Sequence, residues 1–268
     1  MSFQYLITTV KKDRAQVKAL LDSTRIQGSF IVGNQLRDAD CEYCIETDTY
    51  RALVLDMTGK GVSLNRNTLL KRATAEYVTF MDDDMYLDPA CSQREMEESV
   101  TALHTDCVRF NVQSDNPVRP LLLLSKEGCV GFGELRSFGV CGGFYRRQLL
   151  MDNCLFFDEQ LGPGAKIDRG EDTVYLRAFL RKFKIYQLPQ TAFHAVQEGS
   201  TWWDSSHGTE KDIFASGYIY KRVFGAMALP YGIYHLIKYR RMYRQLSPAK
   251  CIKIFTAGMR AAAKGGSV

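Results

Sequence analysis

The chain has 268 residues, of which 46% are hydrophobic and 24% are charged, and its net charge is +5. This balance is typical of a globular protein with a sizeable core and excludes an intrinsically disordered chain. No apolar run reaches the roughly 18 residues of a transmembrane helix, and the first residues lack the pattern of a signal peptide. We therefore expect a cytoplasmic protein.

The positive charge is concentrated at the C-terminal end. Residues 211–268 carry eleven Lys or Arg residues against one acidic residue, Asp212, which gives a net charge of +10. Residues 1–210 carry 24 basic and 29 acidic residues, a net charge of −5. This division predicts two regions with different partners, a domain over 1–210 and a basic amphipathic helical region over 211–268.

The eight cysteines show no disulfide-like spacing. Cys41 and Cys44 form the only C-x-x-C pair, and no second pair or paired histidine completes a zinc site. We expect isolated reduced thiols.

Strand and helix patterns alternate through the first half of the chain. A helix at 63–74 has Ser63 as its predicted N-cap, and Ser92 with Glu95 has the spacing of a capping box that opens the next helix. Such alternation predicts a parallel sheet with helices on its faces, which binds ligands at the carboxyl ends of its strands. The other predicted elements are strands at 4–10, 28–34, 51–57 and 76–81 and a helix at 12–24.

The second half of the chain is less regular. Its predicted elements are strands at 107–112, 137–145 and 184–196, a loop at 114–128, a glycine-rich stretch at 161–172 and a helix at 171–182.

Three consecutive aspartates, Asp82, Asp83 and Asp84, directly follow the predicted strand 76–81. Adjacent carboxylates repel one another, and the folding pattern does not require them there. Clustered carboxylates at a strand end suit a hard divalent cation, which takes oxygen ligands and leaves positions for substrate phosphates. A solvated acidic turn is the alternative, but the position at the end of a buried strand favours the cation site.

Two further polar features occur later in the chain. Glu171 and Asp172 lie in the first turn of a periodic helix, where acidic side chains also complement the helix dipole and need no catalytic role. His194 lies between apolar residues, where a histidine is commonly a satisfied core group, although imidazole also complements carboxylates around manganese. Considered separately, the Glu171–Asp172 pair and His194 each allow both a structural and a functional interpretation.

Together these features resemble the family 2 glycosyltransferases of the GT-A fold, especially bacterial members that assemble capsule, lipopolysaccharide or exopolysaccharide. The resemblance covers roughly residues 3–200 and is carried by GVSLNRNTLLKRATAEYVTFMDDD, GEDTVYLRAFL and FHAVQEGSTWW. It implies an α/β, Rossmann-like single domain with a mostly parallel central sheet flanked by helices, followed by the basic helical C-terminal region.

The resemblance also implies roles for the acidic residues. Asp82 and Asp84 would form the D-x-D pair that handles the metal, and Asp82 and Asp83 would contact the nucleotide ribose and diphosphate. Asp172 would be the general base that deprotonates the acceptor hydroxyl. Glu171 would orient the acceptor or the base.

Nucleotide recognition in the family follows the ends of the first strands, and His194 matches a late histidine that some members use as a further metal ligand. The second strand departs from the family pattern, because it reads VGNQL where many members carry D-D-G-S to read the base and ribose. The loops 114–145 and 196–210 would contact the sugars. The residues implicated in nucleotide binding are Thr8, Asn34, Lys60, Arg66, Asn67, Asp82 and Asp83.

The implied reaction is an inverting, metal-dependent transfer of a sugar from a nucleoside-diphosphate sugar to a hydroxyl of a glycan or lipid-linked acceptor in bacterial surface polysaccharide synthesis. We expect a UDP-linked donor. A bound Mn²⁺ or Mg²⁺ would stabilise the departing diphosphate as a Lewis acid, while Asp172 takes the acceptor proton. One base without a covalent nucleophile implies single displacement with inversion.

Two other functions use a similar fold. A sugar-phosphate nucleotidyltransferase usually has a glycine-rich, basic phosphate loop after its first strand, but that place here reads TTVKKDRAQ, without glycine. A non-catalytic, membrane-associated assembly protein of the same fold is the second alternative.

The C-terminal region contains a mostly apolar stretch at 223–237. Aromatic residues beside basic residues favour peripheral contact with the cytoplasmic face of an anionic membrane, while a helix packed on the catalytic domain with a basic outer face is the alternative. No nucleic-acid-binding motif accompanies the basic residues, so we expect no nucleic-acid partner. The basic residues that follow the stretch are Lys238, Arg240, Arg241 and Arg244.

Overall fold

The computed structural model describes residues 1–36, 40–131, 133–134, 139–197 and 208–264, and within them ten strands form one sheet. The strands are β1 Phe3–Val10, β2 Gly28–Gln35, β3 Cys41–Glu46, β4 Tyr50–Met57, β5 Tyr77–Asp82, β6 Met85–Leu87, β7 Cys107–Ser114, β8 Gly128–Cys129, β9 Gly143–Arg146 and β10 Ile185–Ala195. The helices that accompany them are α1 Arg14–Ser23, α2 Val62–Arg72, α3 Gln93–Ala102, α4 Arg147–Asp152 and α5 Glu171–Leu180.

Four parallel strands form one half of the sheet in the order β4-β2-β1-β5. In the other half β7 and β10 are parallel to each other, and β9 lies between β5 and β7 in antiparallel pairing. The predicted α/β fold with a central parallel sheet flanked by helices is confirmed. Strands β3 and β6 pair antiparallel at the two edges and escape prediction, because β3 is largely exposed and β6 has only three residues.

The sheet separates two hydrophobic cores. In β1, Tyr5 and Ile7 pack on the face covered by α1 and α3, whereas Leu6 packs on the face covered by α2 and α5. Successive side chains of a strand point to opposite faces, so a strand covered on both faces is continuously apolar. This burial on both faces holds β1 and β5 rigidly at the centre, and their carboxyl ends carry the candidate site.

The starts of two helices test the predicted caps. Ser92 caps α3 as expected, since its hydroxyl accepts a hydrogen bond from the N–H of Glu95. The prediction that Ser63 caps α2 is wrong. The helix begins after Gly61, whose φ of 110° is one that glycine adopts readily, and the buried Ser63 hydroxyl instead donates to the carbonyl oxygen of Leu161 at 2.7 Å. Ser63 therefore ties α2 to the glycine-rich stretch that precedes α5.

The C-terminal region is helical, as predicted, with α6 Glu210–Phe224, α7 Ala228–Lys238 and α8 Pro248–Lys264. Helices α6 and α8 approach closely because glycine lies at their contact: a Cβ on Gly217 would clash with the carbonyl oxygen of Phe255. Helix α6 also packs on α5, where Arg177 and Arg181 donate to the carbonyl oxygen of Val223. No helix in the described part of the chain is long and apolar enough to cross a membrane.

Candidate active site

A cavity of about 710 Å³ opens at the carboxyl ends of β1 and β5. These two strands are paired up to the position where Thr8 lies opposite Asp82. The cavity also receives side chains from α2 and from the first turn of α5, so it collects residues that lie far apart in the sequence. Seven of the eleven predicted site residues line it: Thr8, Arg66, Asp82, Asp83, Asp84, Glu171 and Asp172.

Two of the three aspartates are held by residues from different strand ends. Asp83 accepts a hydrogen bond from the Thr9 hydroxyl at 2.5 Å and lies 3.4 Å from the ammonium group of Lys12, both at the end of β1. Asp84 accepts a hydrogen bond from the backbone N–H of Gln197, just after β10, at 2.9 Å. Adjacent residues of the triplet therefore face different surroundings, which fits a division of roles between them.

Arg66 connects Asp82 to the predicted base. Its Nη2 donates to Oδ1 of Asp82 at 2.9 Å and its Nη1 donates to Oδ1 of Asp172 at 2.7 Å. The Arg66 side chain is only 3% exposed. Burial by itself lowers the pKa of Arg66, but the charges of Asp172 and Asp82 outweigh burial and raise that pKa well above its ordinary value. A permanent buried cation thus joins the D-x-D pair to the carboxylate at the start of α5.

Glu171 is a buried carboxyl at the cavity wall. It is 5% exposed, and among the described residues its Oε2 has no hydrogen-bond partner. Burial, followed by the charge of Asp172, raises the pKa of Glu171 to about 8, although Arg66 opposes the shift. At neutral pH this carboxyl therefore carries a proton, which it can donate in a hydrogen bond to a substrate hydroxyl.

Asp172 is held in position from two directions. Besides the bond from Arg66, its Oδ2 accepts a hydrogen bond from the backbone N–H of Val140 at 3.2 Å. A Cβ on Gly139 would clash with the same oxygen, so the chain approaches the carboxylate this closely only because glycine is present. The N-terminus of α5 and the guanidinium place positive charge beside Asp172.

Three predicted nucleotide contacts do not line the cavity. Asn34 is buried, and its side chain exchanges hydrogen bonds with the main chain of Lys12 at 2.7 and 3.1 Å. Lys60 is exposed in the turn before α2. Asn67 follows Arg66 in α2, so its side chain points about 100° away from that of Arg66. Its amide donates to the carbonyl oxygen of Phe157 and does not reach the cavity.

The structure does not bring His194 together with the three aspartates. Its Nδ1 lies 2.6 Å from Asp115 and its Nε2 lies 3.2 Å from Asp88, while its ring stacks on Tyr86. Burial lowers the pKa of His194, but the hydrogen bonds to these two carboxylates raise that pKa above its ordinary value. The neighbouring Ala195 lines the cavity, and adjacent side chains of a strand point to opposite faces, so His194 is directed elsewhere.

The carboxylates at the cavity fit a divalent cation that is shared with a substrate. No cluster of three His, Cys, Asp or Glu side chains that could hold a metal occurs among the described residues. Mg²⁺ and similar ions are commonly held by one or two carboxylates, with waters and substrate phosphates completing the shell. Burial, followed by the charge of Asp82, raises the pKa of Asp84, so part of this shift comes from neighbouring negative charge that a cation would offset.

Several cavity residues escape prediction from the sequence. Thr9 lines the cavity, and Lys12 lies beside it with its ammonium group 3.4 Å from Asp83. Both follow Thr8 in TTVKK, and extending the strand-end argument by a few residues would have found them. Arg119, Leu121 and Leu122 come from the loop after β7, which has no periodic pattern or motif. The loops 114–145 and 196–210, which we expect to contact the sugars, lie partly outside the described residues.

Residues 39–153 match the family model described as Glycosyl transferase family 2. The matched segment includes the three aspartates and ends before Glu171 and Asp172. A sequence comparison with curated proteins finds no match.

Solved structures are similar over almost the whole chain. A crystal structure of S. aureus TarS 1–349 superimposes with a TM-score of 0.61 at 16% identity, covering 99% of this chain and 92% of that chain. The complex of the same protein with UDP-GlcNAc gives a TM-score of 0.59 at 15% identity, and its complex with UDP gives 0.61 at 16%, with the same coverage. At this level of identity the similarity shows a shared fold.

The family match and the shared fold agree with the arrangement of the motifs around one cavity. They confirm the resemblance to the family 2 glycosyltransferases: the chain has the GT-A fold and is a glycosyltransferase.

Proposed function

We propose that this glycosyltransferase moves a sugar, with inversion, from a UDP-linked donor to a hydroxyl of a glycan or lipid-linked acceptor in bacterial surface polysaccharide synthesis. The observation that supports this best is the Arg66 bridge. One buried guanidinium binds Asp82, at the predicted donor end, and Asp172, the predicted base at the acceptor end. This arrangement would hold the donor and the acceptor of a transfer reaction in a single cavity.

The nucleotide would lie over the ends of β1 and β2, where Thr8, Thr9 and Gln35 line the cavity. Lys12 supplies positive charge beside this surface, and the buried Asn34 acts indirectly by holding the main chain of Lys12. The TarS structures with UDP-GlcNAc and UDP support a UDP-linked donor for a chain of the same fold.

Asp82 and Asp84 would hold Mn²⁺ or Mg²⁺ together with the donor diphosphate. When bound, such an ion supplies Lewis-acid stabilisation of the leaving diphosphate. Asp83, which is held by Thr9 and Lys12, would face the ribose. His194 has no part in this arrangement, because both of its ring nitrogens are engaged by other carboxylates.

Asp172 would take the proton of the acceptor hydroxyl while the acceptor oxygen attacks the anomeric carbon and the bond to the donor phosphate breaks. Glu171, which is protonated at neutral pH, would donate a hydrogen bond that orients the acceptor. Arg66 keeps Asp172 in place during the attack. A single displacement of this kind inverts the anomeric centre, so an α-linked donor would give a β-glycoside.

The acceptor would enter from the side of β5 that faces away from β1. The loop after β7 lines this side with Arg119, Pro120, Leu121 and Leu122. Leu122 is 52% exposed, and Nη1 of Arg119 is buried without a hydrogen-bond partner in the described part of the chain. An apolar surface beside a cation suits an acceptor with a lipid group and a phosphate, so of the two acceptor classes we favour the lipid-linked saccharide.

We also propose that residues 1–210 form the catalytic domain and that residues 211–268 bring it to the cytoplasmic face of an anionic membrane. The net charge of +10 in the C-terminal region supports this peripheral contact, since each basic residue near an anionic surface contributes about 1 kcal/mol. A lipid-linked acceptor would be found at the same surface.

Isothermal titration calorimetry with UDP tests the donor side. We expect Mn²⁺ or Mg²⁺ to tighten UDP binding about tenfold or more, because three carboxylates repel a diphosphate unless a cation lies between them. Asp84→Asn should lose most of the metal effect, and Asp48→Asn, at an exposed position, is the control. Equal affinity in EDTA would contradict the metal role, and a hydrolysis screen of nucleotide sugars would then identify the donor.

A further inference from the structure

Helix α7 packs on the rest of the C-terminal region through one narrow stripe. Ala228, Gly232 and Leu236 are buried at a spacing of four residues, which places them on one side of the helix. A Cβ on Gly232 would clash with the ring of Phe255 from α8, so this side is in tight contact. The fold leaves much of the remaining surface of α7 open to solvent.

The open side of α7 is apolar, which is unusual for the outer face of a surface helix. Leu229, Ile233 and Ile237 follow one another at a spacing of four residues, with exposed fractions of 38%, 40% and 70%. Tyr234 lies beside this row and is 61% exposed, while Tyr231 lies farther round the helix and is 47% exposed. The outer face of this packed helix is therefore apolar, whereas the packed alternative expected a basic outer face.

Basic residues border the apolar face at its C-terminal end. Lys238 ends α7 with its ammonium group 5.9 Å from the ring of Tyr234, and Arg241 and Arg244 are exposed just beyond it. The sequence contains no Asp or Glu from residue 213 to residue 264. The apolar face is thus bordered at this end by positive charge, and residues 213–264 contain no acidic residue to neutralise it.

We propose that the outer face of α7, defined by Leu229, Ile233, Tyr234 and Ile237, inserts into the headgroup region of an anionic lipid bilayer and orients the enzyme on the membrane. Interfacial helices combine a buried apolar face, aromatic rings at headgroup depth and basic residues that contact anionic lipid. This deepens the peripheral contact in the proposed function and does not depend on the identity of the sugar.

A second copy of the chain fits this face less well than a bilayer does. A twofold dimer brings the same patch of two chains together, so each apolar face would meet another that is bordered by Lys238, Arg241 and Arg244. Neither copy offers carboxylates from this region to neutralise those charges. An anionic bilayer supplies both the apolar interior and the negative charge.

Co-sedimentation of the full chain with lipid vesicles tests the proposal. We expect binding to vesicles of phosphatidylcholine and phosphatidylglycerol in equal parts, and much weaker binding to phosphatidylcholine alone. Ile233→Ser with Ile237→Ser should weaken binding about tenfold or more, because it removes apolar side chains from the inserted face. The control, Ile233→Leu with Ile237→Leu, keeps the face apolar and should bind like the wild-type protein.

UDP affinity, measured on the same serine variant in solution, should be unchanged, because α7 lies outside the cavity. If none of the variants bound UDP, this would count against the proposed function. The vesicle assay is separate, because it tests only the outer face of α7. Serine and wild-type chains that sediment equally, or a wild-type chain that does not sediment, would overturn the proposal. So would a wild-type dimer by light scattering that becomes a monomer in the serine variant, because the face would then bind a second copy.

Discussion

Glu171 gives the most specific prediction of stability that the site allows. Its carboxyl is buried, its Oε2 has no partner among the described residues, and its pKa is raised from 4.5 to about 8. Between these two values the folded state binds a proton that the unfolded state has released, so the free energy of unfolding falls as pH rises. Below pH 4.5 both states are protonated and the penalty vanishes.

The size of the effect follows from the shift. Each pH unit above 4.5 costs about 1.4 kcal/mol until the folded-state pKa is reached, so at pH 7 the penalty is about 3 kcal/mol. Glu171→Gln removes the titration and keeps the shape of the side chain. We expect the stability difference between this variant and the wild-type protein to grow in favour of the variant by about 3 kcal/mol from pH 4.5 to pH 7.

Urea denaturation of both proteins across this pH range measures the difference directly. Taking the difference between the two proteins at each pH cancels the contribution of the titrating groups that they share to the free energy of unfolding. Glu46→Gln, at an exposed position, is the matched control for a carboxylate that folding does not bury. A difference between Glu171→Gln and wild type that stays constant from pH 4.5 to pH 8 would refute the reasoning.

Two further predictions test the two ends of the cavity. Arg66→Met should lower the free energy of unfolding by about 2 kcal/mol in urea, because Asp82 and Asp172 lose their shared cation, and an unchanged midpoint would argue against the bridge. Leu122→Ser should raise the KM for a lipid-linked acceptor about threefold or more and leave the UDP affinity unchanged, since the residue lines the cavity on the proposed acceptor side. If steady-state kinetics gave the same acceptor KM for Leu122→Ser and the wild-type enzyme, Leu122 would not contact the acceptor.

The central sheet was predictable because the sequence of each of its strands has a clear pattern. β1, β2, β4 and β5 are apolar runs buried on both faces and separated by turn residues, and the structure has them within one or two residues of the expected positions. The edge strands were not predictable, because β3 exposes most of its side chains and β6 has only three residues, which pair with the distant β10. Such pairing depends on chain segments far apart in the sequence.

The candidate site divides in the same way. The aspartates and Glu171–Asp172 were found because they occur at a strand end and a helix start, positions that local pattern defines. The Arg66 bridge was not found from the sequence, because it depends on α2 placing one side chain between β5 and α5. The interpretation of His194 required knowing that Asp88 and Asp115 lie within reach of its ring, which no local pattern shows.

Sugar transfer by Asp172→Asn tests the central claim most directly. The amide keeps the size of the carboxylate and an oxygen for Arg66, but it cannot accept the acceptor proton. We predict that turnover falls about 100-fold or more while the affinity for UDP changes little, and that Asp168→Asn, at a nearby exposed carboxylate, retains both. Turnover by Asp172→Asn close to that of the wild-type enzyme would contradict the assignment of Asp172 as the base.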